Sequence, residues 1–215
     1  MAYVPVEQRR AQLVEAALQV LARDGVVGAT ARRIADEAGV PVGTVHYCFG
    51  DKDELYAAVL DRLTDELLAV ARRRPQVAAD LVGTLRVGLE GLWPVVGGDR
   101  GLQSAAFELT LVATRTPALA ALARRQYATC LTAVGAFLGA AAAGHGLRLP
   151  EPDAERLARW TVATVDGAVM QLLVDGDEAA AYAVLEDFLA VLAGQVEAAA
   201  GRRGRVPRPA PGADD

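Results

Sequence analysis

The chain has 215 residues, 53% of them hydrophobic, with 22 basic and 27 acidic side chains and a formal net charge of −5. That apolar mass is enough for one domain or two closely packed ones, and the abundance of Ala and Leu points to an all-α chain. Two cysteines without paired spacing, Cys48 and Cys130, argue against a disulfide framework or a zinc site. No hydrophobic signal core opens the chain, and apolar runs such as 118–143 are interrupted by Arg, Gln or Gly, so a cytoplasmic location is expected over secretion or membrane spanning.

In chain order, a first helix is expected over residues 6–23, with Leu13, Ala17, Val20 and Leu21 on one stripe and a stop at Asp24-Gly25. Thr30 can cap a second helix, on which Ile34 and Ala38 share a face and Ala35 leaves room for a close neighbour. Gly39 then tolerates the sharp turn. A short third helix is expected to start at Pro41, in its first turn, and run to Cys48. Val45, Cys48 and Phe49 form its apolar side, leaving Val42, Gly43, Thr44, His46 and Tyr47 outward. Residues 30–52 therefore have the layout of a helix-turn-helix whose second helix can enter a major groove.

Asp51 and Glu54 have capping-box spacing, starting a fourth helix with Leu55, Val59, Leu63 and Leu67 on its buried stripe. Further helices are expected near 77–96, 100–114, 117–144, 153–175 and 178–199, about nine in all. Breaks fall at Gly97-Gly98, Thr116-Pro117, 144–152 and Asp175-Gly176-Asp177. The last segment, 201–215, is rich in Pro, Gly and Arg and is expected to be disordered.

The segment AGVPVGTVHYCFGDKDEL resembles the tetracycline-repressor (TetR) family of bacterial transcription regulators, with Gly39, Gly43, Thr44, Phe49, Lys52 and Leu55 in register. The likeness covers about residues 6–68 and is only architectural beyond Val70. His46 stands where the family usually has Tyr, and Cys48 where His or Tyr is common. The resemblance implies a helix-turn-helix DNA-binding domain over 1–52 with a connecting helix over 52–74. It also implies a helical effector-binding and dimerisation domain over 75–200, a palindromic operator, and repression relieved by a small molecule.

Charge permits DNA binding without demanding it. Residues 1–52 carry six basic and six acidic side chains, while 75–200 carry eight basic and fourteen acidic, so the negative excess lies away from the helix-turn-helix. No Arg or Lys stands between Pro41 and Phe49, so guanine-directed bidentate readout cannot come from that helix. Val42 can meet a thymine methyl and Gly43 allows close backbone approach. Thr44 can bond a base edge or phosphate, and Tyr47 can reach phosphate. Thr30, Arg32 and His46 complete the candidate surface, with Arg33 beside it. Lys52, the only lysine, starts the fourth helix where an ammonium and free N–H groups can hold one phosphate.

A short reading helix needs a second copy, and the expected dimer surface is the last two helices, through Trp160, Val165, Val169, Leu172, Leu185, Phe188 and Leu192. The same residues can instead fill the core of one chain. An effector pocket is expected among Leu89, Trp93, Gln103, Phe107, Leu111, Thr114, Tyr127, Cys130 and Phe137, with Glu108 nearby as an acid for a cationic ligand. The rival readings are an enzyme, for which no catalytic, metal or cofactor constellation is present in the sequence, and a helical ligand-binding or interaction protein without sequence-specific DNA binding. The second predicts a buried Tyr47.

Overall fold

A computed structural model describes residues 5–201, so most of the 201–215 segment lies outside the described residues. Those residues form nine helices and no strands: α1 (Val6–Gly28), α2 (Ala31–Glu37), α3 (Val42–Cys48), α4 (Lys52–Ala71), α5 (Leu81–Val96), α6 (Arg100–Arg115), α7 (Pro117–Gly144), α8 (Glu151–Asp175) and α9 (Glu178–Gly201). The all-α expectation holds.

Local chemistry explains most of the helix ends. α1 breaks at Gly25, whose φ of 67° only glycine adopts freely, and resumes for one turn over residues 26–28. The expected stop is therefore a kink. α2 begins where Thr30 Oγ1 accepts from Arg33 N at 3.3 Å. It ends with Gly39 in the left-handed region, closed by Gly39 N to Asp36 O at 3.2 Å and Val40 N to Ala35 O at 3.0 Å.

Two starts differ from the expected ones. Pro41 is extended, at ψ 143°, and sits just before α3 instead of in its first turn. α5 starts at Leu81 and not near 77, because Asp80 Oδ1 caps Gly83 N at 2.7 Å while Thr84 Oγ1 accepts from Ala78 N at 3.0 Å. Those side chains satisfy backbone groups outside the helix and hold residues 78–80 off its axis. Thr84 also meets His145 Nε2 at 2.7 Å, tying the end of α7 to the start of α5.

The helices enclose two apolar cores. The first joins α1–α4 to Ala105, Leu109 and Ala113 of α6 and Leu119 of α7. The second gathers α5, α7, α8 and α9 around Leu89, Leu138, Leu157, Leu185 and Val196. α6 therefore packs with the N-terminal head as well as with the helices that follow it. α6 closes the core of the N-terminal head, and a Cβ at Gly101 would lie 2.4 Å from Ala22 O of α1, so these two helices approach backbone to backbone. Both α7 and α9 are long and apolar enough to cross a membrane by composition, and both are packed into this helical assembly.

Candidate nucleic-acid interface and effector cavity

α3 is pinned from below by Val45, Cys48 and Phe49, all buried, with Phe49 only 1% exposed. The expected outward set then faces solvent: Val42, Gly43, His46 and Tyr47 are exposed, Tyr47 at 77%, and Thr44 is half-buried. A non-DNA helical protein, for which Tyr47 would be buried, does not fit this geometry. α3 packs chiefly against α2, and side chains of α1 and α4 fasten its C-terminal end. The Arg10 guanidinium lies 4.3 Å from the centre of the Phe49 ring, donates to Cys48 O and pairs with Glu54 Oε1 at 2.8 Å. Arg10 thus binds the free carbonyl end of α3 to the start of α4.

Glu54 receives that contact in two directions. Its Oε2 accepts from Gly50 N at 3.0 Å, while its own N–H donates to Asp51 Oδ1 at 2.8 Å. The Gly50 N–H and the Arg10 guanidinium together hold its carboxyl below the usual glutamate range. The capping box is therefore shifted by one residue, reaching Gly50 instead of Asp51. Arg10 was not among the residues singled out in the sequence. Its signal there is an arginine on α1 facing an aromatic at the end of α3, which only a known helix crossing makes visible.

The remaining candidate DNA contacts divide. Lys52 is exposed in the first turn of α4, its Nζ 4.9 Å from the Tyr56 ring centre. Arg32 is exposed with no ion pair among the described residues, whereas Arg33 pairs with Asp24 at 2.9 Å. Thr30 spends its hydroxyl on the α2 cap.

Above the head, a cavity of about 490 Å³ is lined by Leu67 and Val70 of α4, Leu89 of α5, Gln103 and Phe107 of α6, Cys130 and Phe137 of α7, and residues of α8 and α9. Of the expected pocket residues, the structure brings together Leu89, Gln103, Phe107, Cys130 and Phe137. Four others lie elsewhere. Trp93 donates to Glu178 Oε1 at 3.0 Å and stacks edge-on against Tyr182 on an outer surface. Leu111 is 62% exposed, Tyr127 is 48% exposed, and Thr114 gives its hydroxyl to Leu111 O at 2.8 Å. For α6 the reason is position along the helix: residues 103, 107, 111 and 114 share one face, but the cavity spans only the turns of Gln103 and Phe107, and residues 111 and 114 lie beyond it.

Glu108 is not a cavity acid either. Its Oε2 accepts from Val26 N at 2.8 Å, beside the Gly25 kink, and Tyr56 Oη donates to Val26 O at 3.2 Å. Val26 is thus held by α6 and α4, both of which also line the cavity. The acid inside the cavity is Asp166 of α8, which makes no hydrogen bond or ion pair among the described residues. Burial pushes its carboxyl up from the usual range. The Cys130 thiol is raised by burial first and then by Asp166. The sequence did carry a trace of it, since Asp166 is the only charged residue from Trp160 to Val174, on a helix otherwise apolar there.

The expected dimer set is mostly interior. Val169, Leu172, Leu185 and Leu192 are buried within the single chain, and Val165 and Phe188 are half-buried against its core and cavity. Trp160 alone of that set reaches the surface, edge-on to Phe188 at 4.9 Å. α8 and α9 are apolar on more than one side, and α5 and α7 cover the stripe chosen from sequence. The stripe left open runs through Trp160, Ala163, Gly167, Met170 and Val174 on α8, and Val184, Val191 and Gly194 on α9.

Residues 13–59 match the family described as bacterial regulatory proteins, tetR family, and residues 88–195 match the tetracyclin repressor-like C-terminal domain. The chain is 31% identical over 167 residues to the nicotine-responsive transcriptional repressor HdnoR of Paenarthrobacter nicotinovorans, covering 78% of this chain and 84% of that one. Similarity to the regulator BetI of Paraburkholderia phytofirmans is 40% over 81 residues, covering 37% of this chain and 42% of BetI. Among solved structures, a transcriptional regulator from Rhodococcus sp. Rha1 has a TM-score of 0.68 at 29% identity, covering 92% of this chain and 99% of that one. The multidrug binding protein EbrR complexed with malachite green has a TM-score of 0.61 at 31% identity, covering 86% and 98%. With the helix-turn-helix, the helical domain above it and relatives along most of its length, the chain belongs to the TetR family and is a TetR-type transcriptional regulator.

Proposed function

We propose that this regulator is a cytoplasmic repressor that binds a palindromic operator as a homodimer and releases it when a small molecule fills the cavity between α4 and α9. The observation that carries this reading is the double attachment of Val26. Glu108 and Tyr56 grip it from α6 and α4, and the same two helices wall the cavity through Phe107 and Gln103, and through Leu67 and Val70. A ligand that repositions α4 or α6 must therefore move the head that carries α3 or break these bonds. It acts only through its difference in affinity between the two arrangements.

The exposed stripe from Trp160 to Val174 with Val184 and Val191 supports the dimer. Small Ala163, Gly167 and Gly194 allow close helix approach there, and a second copy would cover the apolar side chains. HdnoR is described as nicotine-responsive and EbrR is bound to dyes and imidazole in its structures, which supports a small-molecule effector here.

The test is to select bound fragments from random DNA, then titrate small molecules against the selected site in a fluorescence-anisotropy assay. A two-fold symmetric selected site and release by a compound that protects the helical domain are expected. Binding to all DNA equally would remove the operator, and a compound that binds without changing DNA affinity would remove the effector.

A further inference from the structure

We infer that the cavity is built for an organic cation whose positive charge is held by Asp166. This rests on the effector reading above and narrows it to a chemical class. The walls are mostly aliphatic and phenyl, including Phe107, Phe137 and Phe188 beside the polar Gln103, Cys130 and Thr161, and Asp166 is the one charged side chain of α8 among them. Asp166 is half-buried, and a carboxylate that loses part of its hydration in such surroundings is destabilised unless it is paired. Here the fold supplies no partner: no guanidinium, ammonium or backbone N–H reaches it among the described residues.

Packing among the described residues therefore gives the acid no partner. A ligand that brings its own positive charge removes the penalty, and the three phenyl rings add quadrupole attraction for the same sign of charge. The other charged residues near the space, Arg73, Arg74 and Glu90, are exposed at its rim, where water screens them. They make an anionic ligand the competing chemistry.

The test uses full-length protein and calorimetry with two ions of one shape and opposite charge, tetraphenylphosphonium and tetraphenylborate, plus the smaller benzyltrimethylammonium. Wild type should bind a cation and prefer the phosphonium to the borate. Asp166→Asn should weaken cation binding at least tenfold without weakening the borate, while Glu90→Gln at the rim changes either by less than threefold. Melting temperature adds a readout that a packing role would not give: Asp166→Asn should melt higher than wild type without ligand and lose the cation-induced rise. If Asp166→Asn folds poorly, Asp166→Glu must keep the preference for phosphonium over borate.

Unchanged cation affinity in Asp166→Asn, a wild-type preference for the borate, or binding of neither cation would overturn the proposal. Cation binding lost in Asp166→Asn that leaves operator affinity untouched in wild type supports the cation site and overturns the effector reading instead.

Discussion

The N-terminal head and the helical domain above it both enclose an apolar core, yet only the helical domain also turns apolar side chains onto open space. In the head, Leu13, Val20, Ile34, Val59 and Phe49 are sealed from solvent, and ion pairs such as Arg23 to Glu37 at 3.0 Å and Arg10 to Glu54 fasten one helix to the next. In the upper domain, Phe107, Phe137 and Phe188 border open space, with an unpaired acid among them. The lesson is a division of tasks. A reading helix must be presented in one orientation, so its support is filled to interior density, while a ligand site has to keep volume that the chain itself leaves empty.

The largest effect should come from breaking the head. Phe49→Ala removes a fully buried ring and the surface on which Arg10 rests, and should cost about 3–5 kcal/mol in urea denaturation. Phe137→Ala, at the edge of an existing cavity, should cost only about 1–2 kcal/mol, because the lost ring was half in contact with space already. Equal losses would erase the contrast between the two regions.

The open stripe comes next. Val174→Glu, at a position 81% exposed in the single chain, should leave the fold intact and give monomers in sedimentation at micromolar concentration. A dimer that persists moves the interface to another face.

The link between the regions is expected to be weaker. Glu108→Ala leaves the Val26 N–H without its charged acceptor and should cost about 1–3 kcal/mol. It should also reduce the change in operator affinity caused by a bound ligand. A variant with full ligand response would show that the signal passes through α4 alone.

At the reading surface, Thr44→Ala should lower the preference for operator over random DNA by about 1 kcal/mol. Lys52→Ala should weaken binding to every sequence and flatten the plot of log affinity against log salt by about one unit. Identical behaviour of the two variants would mean that neither reads a base.

The smallest effect concerns acid. Glu54 is held below its ordinary range in the folded head, so its contribution is complete above the unfolded carboxylate value and is lost as pH falls through the folded one. Glu54→Gln should be less stable than wild type at neutral pH and converge with it in acid. Asp166 has the opposite sign. Its raised carboxyl favours folding at pH below the unfolded value, and that benefit disappears as pH rises through the folded one, so Asp166→Asn should flatten that side of the profile.

What could be read along the chain was local. Thr30, Gly39, Asp51 and Gly176 mark helix ends because each satisfies or relaxes backbone within a few residues, and the apolar side of α3 follows from helical period alone. The TetR likeness was legible for the same reason, since its marks are crowded into one helix-turn-helix. Which apolar stripe of α8 meets neighbours and which stays open was decided by how α5, α7 and α9 pack around it, because both stripes have helical spacing. The same packing sent Trp93 to an outer surface, turned Glu108 onto Val26 and left Asp166 inside the cavity. The first two placements rest on contacts 85 and 82 positions apart, and a pattern confined to one helix does not contain the angle at which another crosses it.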